Sequence, residues 1–65
     1  MIEVNGRKVG WKKDETISEL LKRMNYLFPL VIVKINGEVI PRKEFSNVVV
    51  PDNSKIDVIH MISGG

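Results

Sequence analysis

The chain has 65 residues, 43% of them hydrophobic and 28% charged, with a formal charge of +2 and no cysteine. That length supports one small core, and the missing cysteines exclude a disulfide framework and a thiolate metal site. Its single histidine, His60, builds no metal site unaided. The ten basic residues are dispersed, with pairs at Arg7-Lys8, Lys12-Lys13, Lys22-Arg23 and Arg42-Lys43 that have acidic residues nearby. A phosphate-backbone binder concentrates such charge on one face, so a solvated surface is the expectation here.

Residues 1–5, "MIEVN", alternate, with Ile2 and Val4 on one side. Asn5-Gly6 then supplies two residues that tolerate positive φ, the strongest short hairpin signal. The return strand is expected over "KVGWK", with Val9 and Trp11 on one face. A lone Trp11 reads as a partial cap on a small core.

The period changes in "DETISELLKRMN". Thr16 followed three residues later by Glu19 is a capping box. Ile17, Leu20, Leu21 and Met24 form one apolar stripe, while Ser18, Lys22 and Arg23 point away. Asp14 and Glu15 before the helix and Lys22 and Arg23 at its end suit its dipole. The segment from Asn25 to Pro29 is expected to stop it, with Pro29 biasing Phe28 out of helical geometry.

"LVIVKIN" reads as a strand partly covered on both faces, and Asn36-Gly37 turns it into the short strand "EVI". "PRKEF" is a turn or short helical excursion that returns Phe45 to the core. "VVV" and "KIDVIHMI" are expected as further strand, separated by the turn cluster Pro51-Asp52-Asn53-Ser54. Hairpin, helix, strand, short strand, crossover and strand give an α+β domain over residues 1–65, a mixed sheet of four to five strands wrapped on one helix. The long strand after the helix is expected to run parallel to the first.

Alternation in the last strand puts Ile56, Val58, His60 and Ile62 on one face and Asp57, Ile59 and Met61 on the other. The first of these sets is placed toward the helix. Ile59 and Met61 would then lie on an open sheet face, which is usually polar, and so suggest a partner-docking patch. His60 has no partner nucleophile nearby in sequence and reads as a partly exposed structural residue. The hydroxyls form no triad, the carboxylates fall mainly at turns and solvent faces, and phosphate-loop and metal signatures are absent. The chain does not read as an enzyme. The longest apolar stretch, Leu30 to Val33, is too short to span a bilayer, and no signal peptide precedes the fold, so a cytoplasmic protein is expected.

The sequence closes on Ser63-Gly64-Gly65. Glycine is costly to order, yet two of them follow the last apolar residue, Ile62. Without side chains they could thread a narrow channel, and three residues reach roughly 10 Å. A flexible tail over 63–65 would thus present an unhindered carboxylate to another protein's active site. Activation by ATP as an acyl adenylate would let a sulfur or nitrogen nucleophile displace AMP.

This combination resembles the ubiquitin-like sulfur carriers of the β-grasp fold, the ThiS/MoaD superfamily. The matching residues are "VNG" at 4–6, "TISELL" at 16–21, "VKINGEVIPRKEF" at 33–45 and "VPDNSKIDVIHMISGG" at 50–65, which cover most of the chain. "NGEVIPR" tilts the resemblance to the ThiS branch, which serves thiamine biosynthesis, over the molybdopterin-synthase small subunit. The resemblance implies that Gly65 is adenylated by a ThiF-like activating enzyme that uses ATP, with no cofactor bound to the carrier itself. Gly65 would become a thiocarboxylate, with sulfur from a donor such as a cysteine desulfurase, and deliver it to a ThiG-like thiazole synthase. Gly64 and Ser63 would keep the tail slim, and Ile59, Met61 and Ile62 would be docking neighbours. The sequence departs from the family in three places: Asp52-Asn53-Ser54 replaces a common Asp-Gly-Asp turn, Phe45 a common tryptophan, and the charge is basic. Alternatives that keep the fold are delivery to molybdopterin or tRNA thiolation, a ubiquitin-like protein modifier, and a β-grasp RNA-binding module.

Overall fold

The computed structural model describes residues 1–26 and 30–61. Its elements in chain order are β1 (Ile2–Val4), β2 (Arg7–Val9), α1 (Ile17–Arg23), β3 (Val31–Ile35), β4 (Glu38–Ile40), a 3-10 turn (Arg42–Glu44) and β5 (Lys55–His60). They form a five-stranded sheet in the order β2-β1-β5-β3-β4. β1 pairs parallel with β5, and the other three pairings are antiparallel. The sheet is therefore mixed, but the parallel partner of β1 is the last strand. β3, expected in that position, lies one strand further out and runs antiparallel to β5. Local pattern cannot decide between them, because each is an apolar strand that follows the helix.

Both Asn-Gly pairs form the expected turns, with φ of 50° and 83° at Asn5 and Gly6 and 51° and 85° at Asn36 and Gly37. Positive φ at both central residues matches the turn's twist to that of the strands it joins. β2 ends at Val9, so Trp11 falls outside the strand assigned to it. Its indole Nε1 instead donates to the carbonyl of Val50 at 2.8 Å, tying the loop after β2 to the segment before β5.

Helix α1 satisfies its ends locally. The Thr16 hydroxyl accepts from Glu19 N at 3.3 Å, and the Glu19 carboxylate accepts from Thr16 N at 3.0 Å. The amides of Ile17 and Ser18 donate to the carbonyls of Val48 and Phe45, so the first turn leaves none of its free donors buried and unmet. At the other end Asn25 has φ 64°, Tyr26 N donates to Leu21 O, and Asn25 N donates to Lys22 O. Those two bonds make a Schellman stop, with asparagine in the left-handed position. Asn25 ends the helix by itself; Phe28 and Pro29, also given that role, lie outside the described residues.

One sheet face and the helix enclose the core. Ile2 and Val4, Val33 and Ile35, and Ile56 and Val58 pack with Ile17, Leu20 and Leu21, joined by Phe45 and Val50. The 3-10 turn does return Phe45 to this core. Val48–Val50 does not join the sheet. It makes a single bridge, Thr16 to Val49, and Val50 N donates to Glu15 O, so β-rich composition here braces the start of the helix.

Two charged residues depart from the solvent-facing pattern. Glu15 is only 8% exposed, and Arg23 is partly buried against it. The guanidinium donates from Nε and an NH2 nitrogen to the two carboxylate oxygens at 2.9 and 2.8 Å, and on to Gly10 O at 2.8 Å. A two-point fork of this kind is strong because planar donor and acceptor match. Among the described residues, no helix is long and apolar enough to cross a membrane.

Candidate functional site

The site expected from the sequence is the end of β5 and the chain beyond it. Ile62, Ser63, Gly64 and Gly65 lie outside the described residues, so the structure describes the platform from which they continue. β5 is the central strand, flanked by β1 and β3. Its buried residues Ile56 and Val58 anchor it to the core, and Met61 N still donates to Leu30 O at 3.0 Å after the strand ends. Where β1 has turned away, the Asn5 side chain takes over: its Oδ1 accepts from Val58 N at 2.8 Å and its Nδ2 donates to Val58 O at 3.2 Å.

Strand register sorts the outer sheet face into three rows, since side chains of paired residues share a face. At the start of β5 the row is charged: Lys8, Glu3 and Lys55. The middle row is Asp57, Lys34 and Val39. At the end of β5 it is Ile59 beside Ile32. Ile59 is 42% exposed, Met61 47% and Val39 56%. The face is thus charged at one end and apolar at the end from which the chain runs on to Gly65. A surface groove of about 370 Å³, lined in part by Glu3, Lys8, Ser54 and Lys55, lies at the charged end.

Ile59 and Met61 are exposed, as expected for the uncovered side of the sheet. His60, placed on the helix side by alternation, is exposed as well, because it pairs with Val31 at the last rung, beyond the buried positions Ile56 and Val58. Among the described residues no three His, Cys, Asp or Glu side chains cluster to hold a metal ion. Two of the hydroxyls serve structure: Thr16 caps the helix, and Ser54 Oγ donates to Pro51 O at 2.7 Å.

The resolved pKa shifts also belong to structure. The hydrogen bond from Thr16 N holds the Glu19 carboxyl below its usual range. A hydrogen bond from the Met1 ammonium, 2.9 Å away, does the same for Asp52. Asp52 sits in the turn where Asn53 adopts φ 58°, so asparagine does fill the place of a turn glycine. The contacts of Asn5, Trp11 and Glu15 were not legible beforehand. Asn5 and Trp11 reach partners 53 and 39 positions away, and Glu15 meets Arg23 from the opposite end of α1, so only the asparagine's position in an Asn-Gly turn offered any signal.

The ThiS family model matches residues 1–65. Over 66 aligned residues the chain is 36% identical to the sulfur carrier protein ThiS of Bacillus subtilis (strain 168), with all of both chains covered. The crystal structure of a thiamine biosynthesis protein (ThiS) from Geobacter metallireducens superposes with a TM-score of 0.80 at 28% identity, covering 98% of this chain and 97% of that one. A solution structure of a thiamine biosynthesis protein from the same organism gives 0.75 at 28% identity, covering 98% and 86%. The fold is therefore the ubiquitin-like β-grasp, and the chain belongs to the ThiS family.

Proposed function

We propose that this protein is a sulfur carrier of thiamine biosynthesis that acts in the cytoplasm, a co-substrate worked on by partner enzymes and not itself a catalyst. The observation that carries the reading is the full-length match to a sulfur carrier protein, over a chain whose last residues are Gly64 and Gly65. The chemistry is that of an activated carboxylate. A partner activating enzyme joins the Gly65 carboxylate to the α-phosphorus of ATP, releasing pyrophosphate. A persulfide from a cysteine desulfurase attacks the acyl carbon, the carbon–oxygen bond to AMP breaks, and a thiol reductant frees the thiocarboxylate. That sulfur passes to a thiazole synthase.

Ser63 and Gly64 form the slim approach to the partner's active site, and Ile59 and Met61, at the apolar end of the outer sheet face, dock the partner, with Ile62 as their neighbour in sequence. Exposed apolar residues grouped next to the reactive end support that assignment. With no cysteine in the chain, sulfur is carried on the carboxyl end and supplied by others.

The test is pyrophosphate exchange into ATP by the cognate activating enzyme. Exchange that requires this protein, and that disappears when Gly65 is deleted, supports the reading. Exchange that is indifferent to Gly65 contradicts it.

A further inference from the structure

β1 and β5 pair through only two rungs, Glu3 with Lys55 and Val4 with Ile56. Backbone bonds from Glu3 N to Ser54 O and from Asn5 N to Ile56 O complete that ladder. After Asn5 the chain reverses through Gly6, so the β1 backbone has nothing left to offer Val58. The Asn5 carboxamide fills the gap. It carries one acceptor and donors in the arrangement of a peptide group, and it meets both the N–H and the C=O of Val58. The same Nδ2 lies 3.4 Å from the Tyr26 hydroxyl, beyond the Schellman stop of α1. One side chain thereby joins the first hairpin, the helix's exit and the last strand.

On its other edge β5 is held to β3, and Met61 N to Leu30 O. Val58 is thus held by Asn5 on one flank of a strand that β3 holds on the other, and that strand continues in sequence into Ile62–Gly65. We infer that Asn5 is a positioning residue for the reaction at the tail: its carboxamide fixes the end of β5, the platform from which the chain continues to Gly65 and on which the activating enzyme must dock. The inference rests on the proposed role of the Gly65 carboxylate. Acyl transfer requires close alignment of the reacting atoms, and residues freed at the strand's end must be ordered again by the partner before that alignment exists.

Asn5→Gly is the informative variant, because glycine keeps the positive φ of the turn and removes only the carboxamide. Two measurements decide the matter. Amide hydrogen exchange at Val58 is expected to accelerate by about tenfold or more while Met24 N–H in the helix is unchanged, as for the loss of a local hydrogen-bonded pair. With the cognate activating enzyme, saturating kcat for pyrophosphate exchange is expected to fall about tenfold, a misalignment effect. A variant that was merely less folded would show faster exchange throughout and a raised apparent KM at unchanged kcat. Either that pattern, or an unchanged Val58 amide, overturns the inference. If the unsubstituted protein supports no pyrophosphate exchange at all, it is the carboxylate reading that fails, while the Val58 measurement still reports on what Asn5 holds.

Discussion

Thr16 and Glu19 close the first turn of α1 from both directions, and each donor met there is one the helix would otherwise leave open. Thr16→Ala is expected to cost about 1 kcal/mol in urea unfolding, the usual loss for a helix cap. The Glu19 carboxyl should titrate below the ordinary 4.5 in the folded protein, because its ionised form accepts from Thr16 N. Its stabilising contribution is then present above 4.5 and is lost as pH falls through the depressed folded value. Carboxyl NMR titration checks this: Thr16→Ala keeps the backbone bond and removes only the hydroxyl's own bond to the carboxylate, so the Glu19 value should rise part of the way and stay below 4.5. A value at or above 4.5 would contradict the backbone bond as the main cause. At Asn53, φ is 58°, so Asn53→Ala is expected to destabilise by about 1 kcal/mol while Asn53→Gly does not. These positions were legible because capping and left-handed turns depend on residues within a few places of one another.

The elements were legible in kind, and less so in their mutual arrangement. The Glu15–Arg23 clamp shows why. Glu15 looks like an acidic residue suited to a helix start and Arg23 like a basic residue suited to its end, yet a loop folds back so that they meet, closed off by Gly10 O. Arg23→Ala leaves a buried carboxylate without its partner. It is expected to cost about 2–4 kcal/mol, less than a wholly buried pair would, because a quarter of the Arg23 side chain remains exposed. Replacing both residues should cost clearly less than the sum of the single losses in a double-mutant cycle. Val48–Val50 shows the reverse error. Its composition suits a strand, but the edge it meets is the start of a helix, so one bridge forms in place of a ladder. At the apolar end of the sheet, Ile59→Asp should leave folding intact and raise the KM of the activating reaction about tenfold or more, since a docked isoleucine contributes roughly 1.5–3 kcal/mol. An unchanged KM would move the docking surface elsewhere.

Across the whole molecule, a 65-residue chain has little stability to spare, and the core concentrates it in a few side chains. Ile56 is fully buried on the central strand, and Ile56→Ala is expected to cost about 2–5 kcal/mol, enough to leave much of the chain unfolded at ambient temperature. The sheet order was the least legible feature, because bringing the first and last strands together is a non-local choice made by the packed core. That choice also determines the functional geometry. It puts β5 in the middle of the sheet, holds Val58 from both sides and leaves the apolar end of the outer face beside the chain that leads to Gly65.

The most direct test of the central claim is the intact mass of the protein isolated from its own cells without reducing agents, with fragments that isolate the last residues. Replacement of one oxygen by sulfur at Gly65 is the predicted result. Oxidation of any of the three methionines adds nearly the same mass, so the fragments must place the change at Gly65 and not at Met61 or elsewhere. An unmodified carboxylate that stays unmodified when the protein is incubated with its activating enzyme, ATP and a sulfur source would contradict the account.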